Sequence, residues 1–209
     1  MVIYILHFVI MKPMDILSHA LWSSVGAKAS NKKLKTKIDP WWAGFWGAFP
    51  DLISFTPLAL IIVFQAVNGS DFRSFQHSSG IGQLTGLLYP ASHSIVIFLA
   101  VFLIVWLFKR TPAWVMGGWA LHIILDIGTH PAEFYPTRFL WPLSDVYVGG
   151  ISWRSPWFLL IDYALLALCF FALRKEKGAY PLFSTTKKIL AGVLALIAIL
   201  TYVFTSVRG

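Results

Sequence analysis

The stretch from Ala91 to Arg110 reads ASHSIVIFLAVFLIVWLFKR, with a polar start, a continuous apolar run and a basic end. A helix needs about 20 predominantly apolar residues to cross the hydrocarbon core of a bilayer, which is about 30 Å thick. Lys and Arg collect at the cytoplasmic ends of such helices. We therefore predict that Ala91–Phe108 is a transmembrane helix with its basic end, Lys109-Arg110, in the cytoplasm.

The composition extends this prediction to the whole chain. Of the 209 residues, 57% are hydrophobic and only 12% are charged, and the mean hydropathy is +0.71. Soluble domains average roughly 45–50% apolar and about 25% charged residues. These values exclude a disordered chain and a coiled coil, and the single cysteine, Cys169, excludes an intrachain disulfide. We expect one transmembrane domain over residues 1–209, with residues 1–14 as an interfacial or spurious N-terminal extension.

Other apolar runs have a similar length. They are Trp41–Val67, Pro112–Thr129, Pro156–Leu173, which carries the acid Asp162, and Lys188–Thr205. A weaker element covers Asp15–Ala27 and could extend backwards across a kink at Pro13. The expected fold is therefore all-α, a polytopic helical membrane protein with about five to six transmembrane helices.

The basic residues predict the orientation of these helices. Most of the 17 Lys and Arg residues lie in three alternate breaks, Lys28–Lys37, Lys109-Arg110 and Arg174–Lys188. These breaks are expected in the cytoplasm of a multi-pass inner-membrane protein, where they would contact anionic lipid headgroups. The same confinement to short breaks argues against nucleic-acid binding, despite the net charge of +8. No oligomeric state is predicted.

Two longer breaks, Asn68–Pro90 and His130–Ser155, are then expected on the extracytoplasmic side. The second break and its edge are rich in aromatic residues, namely Phe134, Tyr135, Phe139, Trp141, Tyr147, Trp153 and Trp157. Such residues are typical of an aromatic belt in the headgroup layer. The alternative is a lid over a site that lipids can reach.

The strongest chemical signal is LHIILDIGTH, Leu121–His130, inside an apolar run. Spacings of four residues place His122, Asp126 and His130 on one helical face. Ionisable groups are costly at membrane depth, and imidazoles with a carboxylate suit Zn²⁺ or a similar divalent ion. The alternative is a polar pair that hydrogen-bonds between helices, and Pro131 could end the helix before His130.

Three further motifs carry similar groups: Asp15–His19 (DILSH), Gly47–Asp51 (GAFPD) and Ser92–Ser94 (SHS). The first repeats the pattern of Asp126–His130, although Asp15 would also suit a helix N-cap. In the second, a carboxylate follows a proline that removes a helical hydrogen bond. In the third, an interfacial position for His93 is the plain alternative.

Depth along the helices indicates that these groups can meet. At 1.5 Å per residue, His19, Asp51, His93, His122 and Asp126 lie between about 13 and about 24 Å above the cytoplasmic ends of their helices. That layer runs from about the midplane toward the extracytoplasmic face of a core about 30 Å thick. The candidate metal ligands are therefore His19, Asp51, His93, His122, Asp126 and His130, with Asp51 or Asp15 as general base.

The order of these motifs resembles the membrane-bound metal-dependent hydrolases, inner-membrane proteins described as hydrolases associated with LexA. The matching stretches are Asp15–Trp22, Gly47–Asp51, Ser92–Ser94, Leu121–Thr129 and Phe139–Leu143. The resemblance implies a multi-span helical protein with a divalent-metal site and hydrolytic activity. It assigns His19, Asp51, His93, His122 and Asp126 as ligands.

The chain departs from that family at two places, and both departures favour one metal ion over two. A second Asp is expected shortly after Pro50-Asp51, where Ile53 and Ser54 stand. A His-Arg pair is expected just before the Ser-His motif, where Leu88-Tyr89 stands.

The leading hypothesis is a hydrolase in which a metal-activated water attacks a lipid or lipid-linked ester or phosphoester, with Zn²⁺ as the expected ion. A transporter or ion/proton pathway would use the same buried His and Asp groups. A non-catalytic membrane interaction protein is the third hypothesis. Metal-dependent turnover would indicate the hydrolase, and flux into sealed vesicles would indicate the transporter. The absence of both would favour the interaction protein.

Overall fold

A computed structural model of the chain describes residues 2–68, 81–110, 113–133, 135–153 and 155–173. Within these ranges it has α-helices and no strands, as the sequence predicts. The helices are α1 (Val2–Leu34), α2 (Pro40–Asn68), α3 (Ile81–Ser92), α4 (Ile95–Lys109), α5 (Gly117–Thr129) and α6 (Pro156–Leu173), with a short 3-10 helix, Trp114–Met116, before α5.

Two predicted spans match the observed helices closely. Helix α2 extends the predicted Trp41–Val67 by one residue at each end, and α6 has the predicted bounds. The predicted span Lys188–Thr205 lies outside the described residues. In the hydrocarbon core of a membrane no water can bond the backbone of an apolar segment. Such a segment forms a helix because every backbone group then finds a partner within it.

Helix α1 is longer than expected. It runs from Val2 to Leu34. The extension backwards through Pro13 that the sequence allowed is present, but the helix also continues past the predicted end at Ala27. The helix therefore includes much of the basic break, and the side chain of Lys28 is buried while Lys32 and Lys33 are exposed. The prediction failed here because Lys is a good helix former, and a charge cluster does not end a helix.

The region before Lys109 also differs from the prediction. Ala91 and Ser92 belong to α3, which occupies part of the expected loop Asn68–Pro90. Helix α4 starts only at Ile95. Ser94 is its N-cap, and the Ser94 side chain accepts hydrogen bonds from the N–H groups of Val96 and Ile97. Helices α3 and α4 meet at 66°. The hydroxyl cap thus begins a new helix where the sequence suggested a continuous one.

One described helix, Pro156–Leu173, is by itself long and apolar enough to cross a membrane. The bent pair Gln83–Ser92 and Ile95–Lys109 provides a second if it is counted as one broken span. The predicted Pro112–Thr129 is divided into the 3-10 helix and the 13-residue α5. The total of five to six spans remains a prediction.

Helices α1, α2 and α5 pack against one another and form the centre of the molecule. Glycines permit their close approach, because a Cβ on Gly118 of α5 would overlap the carbonyl oxygen of Ala43 on α2. A Cβ on Gly47 of α2 would overlap the side chain of Ser23 on α1. Small residues are the usual means by which membrane helices approach closely. The three helices can therefore place polar side chains within contact distance.

Candidate metal centre

His122 and Asp126 lie one turn apart on α5 and are almost completely buried, with 0% and 1% exposure. Nδ1 of His122 lies 2.7 Å from the carbonyl oxygen of Gly47 on α2. Because a carbonyl oxygen only accepts, Nδ1 carries a proton and donates it, so Nε2 of the neutral ring presents a lone pair. This nitrogen lies 3.2 Å from Oδ2 of Asp126. The contact with Gly47 thus prepares His122 as a ligand.

His93 lies in the break between α3 and α4 and is 0% exposed. Its Nδ1 lies 3.0 Å from the carbonyl oxygen of Tyr89 and 2.8 Å from the hydroxyl of Ser92. By the same reasoning, Nε2 presents its lone pair to the interior. It lies 3.1 Å from Nε2 of His122 and 3.3 Å from Oδ2 of Asp126.

Neighbouring elements hold the break that carries His93. The indole of Trp119 on α5 donates to the carbonyl oxygen of Ser92 at 2.6 Å. The hydroxyls of Ser54 on α2 and Ser92 are 2.7 Å apart. The hydroxyl of Ser94 donates to the carbonyl oxygen of Trp141. The position of His93 is therefore fixed by α2, α5 and the loop after α5.

Asp51 follows Pro50 in the middle of α2 and is buried. Its Oδ1 lies 3.4 Å from Nε2 of His93 and 3.9 Å from Nε2 of His122. Its Oδ2 is buried without a hydrogen-bond partner among the described residues. A buried carboxylate needs donors or a cation, since leaving it unpaired costs several kcal/mol, to an order of magnitude.

His19 and His130 approach the other oxygen of Asp126. Nε2 of His19 on α1 lies 3.0 Å from Oδ1 of Asp126, and Nδ1 of His130 lies 3.4 Å from it. Helix α5 ends at Thr129, and His130 adopts an extended conformation with φ −107° and ψ 122°. The helix thus ends before His130, as Pro131 suggested, and the imidazole still faces Asp126.

The loop after α5 returns to cover His130. The N–H groups of Gly150, Ile151 and Trp153 donate to the carbonyl oxygens of His130, Gly128 and Thr129, at 2.9, 3.0 and 3.1 Å. Trp153 is buried and its ring lies 6.4 Å from that of His130, whereas Trp157 is exposed. This end of the aromatic-rich segment His130–Ser155 therefore packs against the helices.

Asp126 therefore lies among four imidazoles, yet neither of its oxygens makes a hydrogen bond with the part of the chain that the structure describes. The nitrogens are close, but none of these contacts has hydrogen-bond geometry. Lone pairs of imidazoles and carboxylates that face one another repel unless a cation lies between them. Two buried groups, His19-His122-Asp126 and Asp51-His93-His122, could hold a metal ion.

The structure brings all six predicted ligands together, from α1, α2, the α3–α4 break, α5 and the residue after it. The side chain of Asp15 lies outside the described residues. Sequence reasoning did not identify Tyr89, whose ring stacks on His93 with centroids 3.8 Å apart. It also did not identify Ser54. Neither residue carries a sequence signal, because a buried Tyr or Ser in an apolar run is ordinary.

Asp162 of α6 has a structural partner next to the cluster. The hydroxyl of Ser18 donates to Oδ2 of Asp162 at 2.5 Å, and the indole of Trp22 donates to Oδ1 at 2.6 Å. Ser18 precedes His19 on α1. The carboxylate in the otherwise apolar α6 therefore attaches this helix to α1 beside the metal-ligand candidates.

The described residues define a helical protein with a buried His/Asp centre that could hold a metal ion. A family model, the YdjM inner membrane protein, matches residues 14–209. The chain belongs to this family and is a membrane protein. Neither a curated protein nor a solved structure matches it.

Proposed function

We propose that this protein is an integral-membrane, metal-dependent hydrolase. The observation that carries the proposal is the buried carboxylate of Asp126, whose oxygens lie 3.0–3.4 Å from four imidazole nitrogens without a hydrogen bond. Buried, convergent ionisable groups at membrane depth are costly and mark functional sites. A divalent cation at this position would offset that cost.

Zn²⁺ is the ion we propose, because the nitrogen of a neutral imidazole and the oxygen of a carboxylate are among its usual ligands. His93, His122, Asp51 and Asp126 would hold it, and His19 and His130 extend the same cluster. A bound divalent ion supplies Lewis acidity and lowers the pKa of a coordinated water to about 7 in favourable sites.

The residues of the chain then have distinct tasks. The carbonyls of Gly47 and Tyr89 fix the ring orientation of His122 and His93, so their Nε2 atoms face the centre. Asp51 has one oxygen toward the imidazoles, and its Oδ2 accepts the proton of the attacking water as general base. The sequence analysis also offers Asp15 as an alternative general base.

A lipid or lipid-linked ester or phosphoester is the proposed substrate class. The support is the membrane family together with the wide apolar exposure of α4 and α6, for example at Phe108, Trp157 and Leu160. A multi-pass topology with cytoplasmic basic loops on anionic lipids and a centre toward the extracytoplasmic half belongs to the same proposal.

The first experiment measures metal in the purified full-length chain in detergent, by elemental analysis after dialysis against Zn²⁺ and gel filtration. We expect bound zinc that His122→Ala combined with Asp126→Asn removes. Asp145→Asn is the matched control, because Asp145 is an exposed carboxylate paired with Arg138. Absence of zinc from the wild-type chain would contradict the proposal.

The second experiment measures hydrolysis of lipid phosphoesters and carboxylic esters in mixed micelles by the same proteins. We expect zinc-dependent turnover by the wild-type chain and by Asp145→Asn, and none by Asp51→Asn. Flux of Zn²⁺ or protons into sealed vesicles without turnover would instead establish the transport function. Bound zinc with neither turnover nor flux would also contradict catalysis.

A further inference from the structure

The two oxygens of Asp126 face two different pairs of imidazoles. Oδ2 lies 3.3 Å from Nε2 of His93 and 3.2 Å from Nε2 of His122. Oδ1 lies 3.0 Å from Nε2 of His19 and 3.4 Å from Nδ1 of His130. A carboxylate that bridges two cations has this arrangement, with a separate group of nitrogen ligands on each oxygen.

On the Oδ2 side the ligand set is complete for a tetrahedral ion. It consists of His93 Nε2, His122 Nε2, Asp126 Oδ2 and Asp51 Oδ1, and the described separations among them run from 3.1 to 3.9 Å. Ligands about 2.0–2.2 Å from a tetrahedral ion lie roughly 3.3–3.6 Å from one another. The atoms of His93, His122 and Asp126 lie 3.1–3.3 Å from one another, near this spacing, and Asp51 Oδ1 lies 3.4 and 3.9 Å from the two nitrogens as the fourth ligand of a closed site.

On the Oδ1 side the set is smaller. His19 Nε2, His130 Nδ1 and Asp126 Oδ1 are three ligands from α1, the end of α5 and α5 itself. Three protein ligands with a position left for water or substrate are typical of catalytic zinc sites. An ion on the Oδ2 side does not engage these two nitrogens, which lie at the other oxygen of Asp126.

We propose that the centre binds two divalent ions bridged by Asp126. His93, His122 and Asp51 complete the closed site, and His19 and His130 complete the open site. This inference rests on the proposed function and replaces the sequence-based expectation of one ion, which rested on the residues that stand where a second Asp and a His-Arg pair are expected. Two-metal sites with ions about 3.5–4 Å apart stabilise the attacking and leaving oxygens of a phosphoester, which favours phosphoesters within the proposed substrate class.

The test is the zinc stoichiometry of the full-length chain, measured by isothermal titration and elemental analysis. The wild-type chain and Asp145→Asn are expected to bind a pair of ions. His130→Ala and Asp51→Asn each remove a ligand of only one site, so each is expected to lower the zinc content by about half. Asp126→Asn is expected to weaken both sites.

A second readout does not depend on any variant. With Mn²⁺ in place of zinc, the wild-type chain is expected to show the electron paramagnetic resonance spectrum of an exchange-coupled pair. One ion per wild-type chain, with the spectrum of isolated Mn²⁺, would overturn the two-ion centre and leave the proposed function intact. No bound ion at all would overturn both.

Discussion

At the scale of single residues, the centre depends on hydrogen bonds that orient ligands. His122 and His93 each bond a backbone carbonyl through Nδ1, at 2.7 and 3.0 Å. Partners of this kind fix the tautomer and the ring orientation of a ligand. Backbone carbonyls cannot be removed by substitution, so the side-chain partners offer the better test.

Ser92 is the residue to change. Its hydroxyl lies 2.8 Å from Nδ1 of His93 and 2.7 Å from the hydroxyl of Ser54. Ser92→Ala is expected to loosen the orientation of His93 and lower zinc affinity by about tenfold, the lower end for loss of a ligand's partner. Ser144→Ala, in the exposed loop, is the control and should retain wild-type affinity in the same titration.

The candidate ligands were largely predictable from the sequence. His and Asp at four-residue spacings within apolar runs are rare enough to indicate function. His122 and Asp126 share a helical face as their spacing predicts, and His130, just beyond the helix end, still faces Asp126. The division of four imidazoles between the oxygens of Asp126 was not predictable. It depends on how α1 and the α3–α4 break approach α5, which no local pattern encodes.

At the scale of elements, glycines set the distances between helices. A Cβ on Gly118 would overlap the carbonyl oxygen of Ala43 and lie close to the backbone nitrogen of Gly47. Backbone atoms cannot move aside as a flexible side chain can, so an added methyl must push α5 away from α2. The ligands on these helices would then separate.

Gly118→Ala is accordingly expected to destabilise the protein by about 1–3 kcal/mol and to lower zinc binding. Gly117→Ala is the matched control, because a Cβ there meets no other atom within 4 Å. That control should be neutral or gain up to about 1 kcal/mol from helix propensity. Thermal unfolding in detergent measures both variants, and equal melting temperatures would contradict the close-approach argument.

The carboxylate of Asp162 attaches α6 to α1 through Ser18 and Trp22. Asp162→Ala leaves both donors without their acceptor, and hydrogen bonds to a charged group contribute about 1.5–3 kcal/mol each. We expect a lower melting temperature and, because Ser18 adjoins His19, weaker zinc binding. Unchanged zinc affinity with a lowered melting temperature would limit Asp162 to a structural role.

The helices themselves were predictable where apolar runs are long, as α2 and α6 show. The start of α4 was not predictable, because it depends on the hydroxyl of Ser94 accepting hydrogen bonds from the N–H groups of Val96 and Ile97. Serine beside histidine at the start of an apolar run fits an interfacial helix end equally well. The length of α1 was missed because its basic end is helical too.

At the scale of the whole molecule, the charge distribution predicts the topology. Lys32, Lys33 and Lys109 are exposed, and so is Ser144 in the loop between α5 and α6. In a Cys169→Ala background, a cysteine at Ser144 is expected to react with an impermeant thiol reagent added outside intact cells. A cysteine at Lys33 is expected to react only after lysis, and the reverse pattern would contradict the positive-inside orientation.

The central claim is that buried imidazoles and carboxylates from distant parts of the chain hold metal together. The most direct measurement is anomalous diffraction at the zinc absorption edge from crystals of the full-length protein grown with zinc. We predict anomalous density beside Asp126, about 2.0–2.1 Å from Nε2 of His93 and His122. A well-ordered cluster without such density, its imidazoles hydrogen-bonded directly to Asp51 and Asp126, would contradict the account.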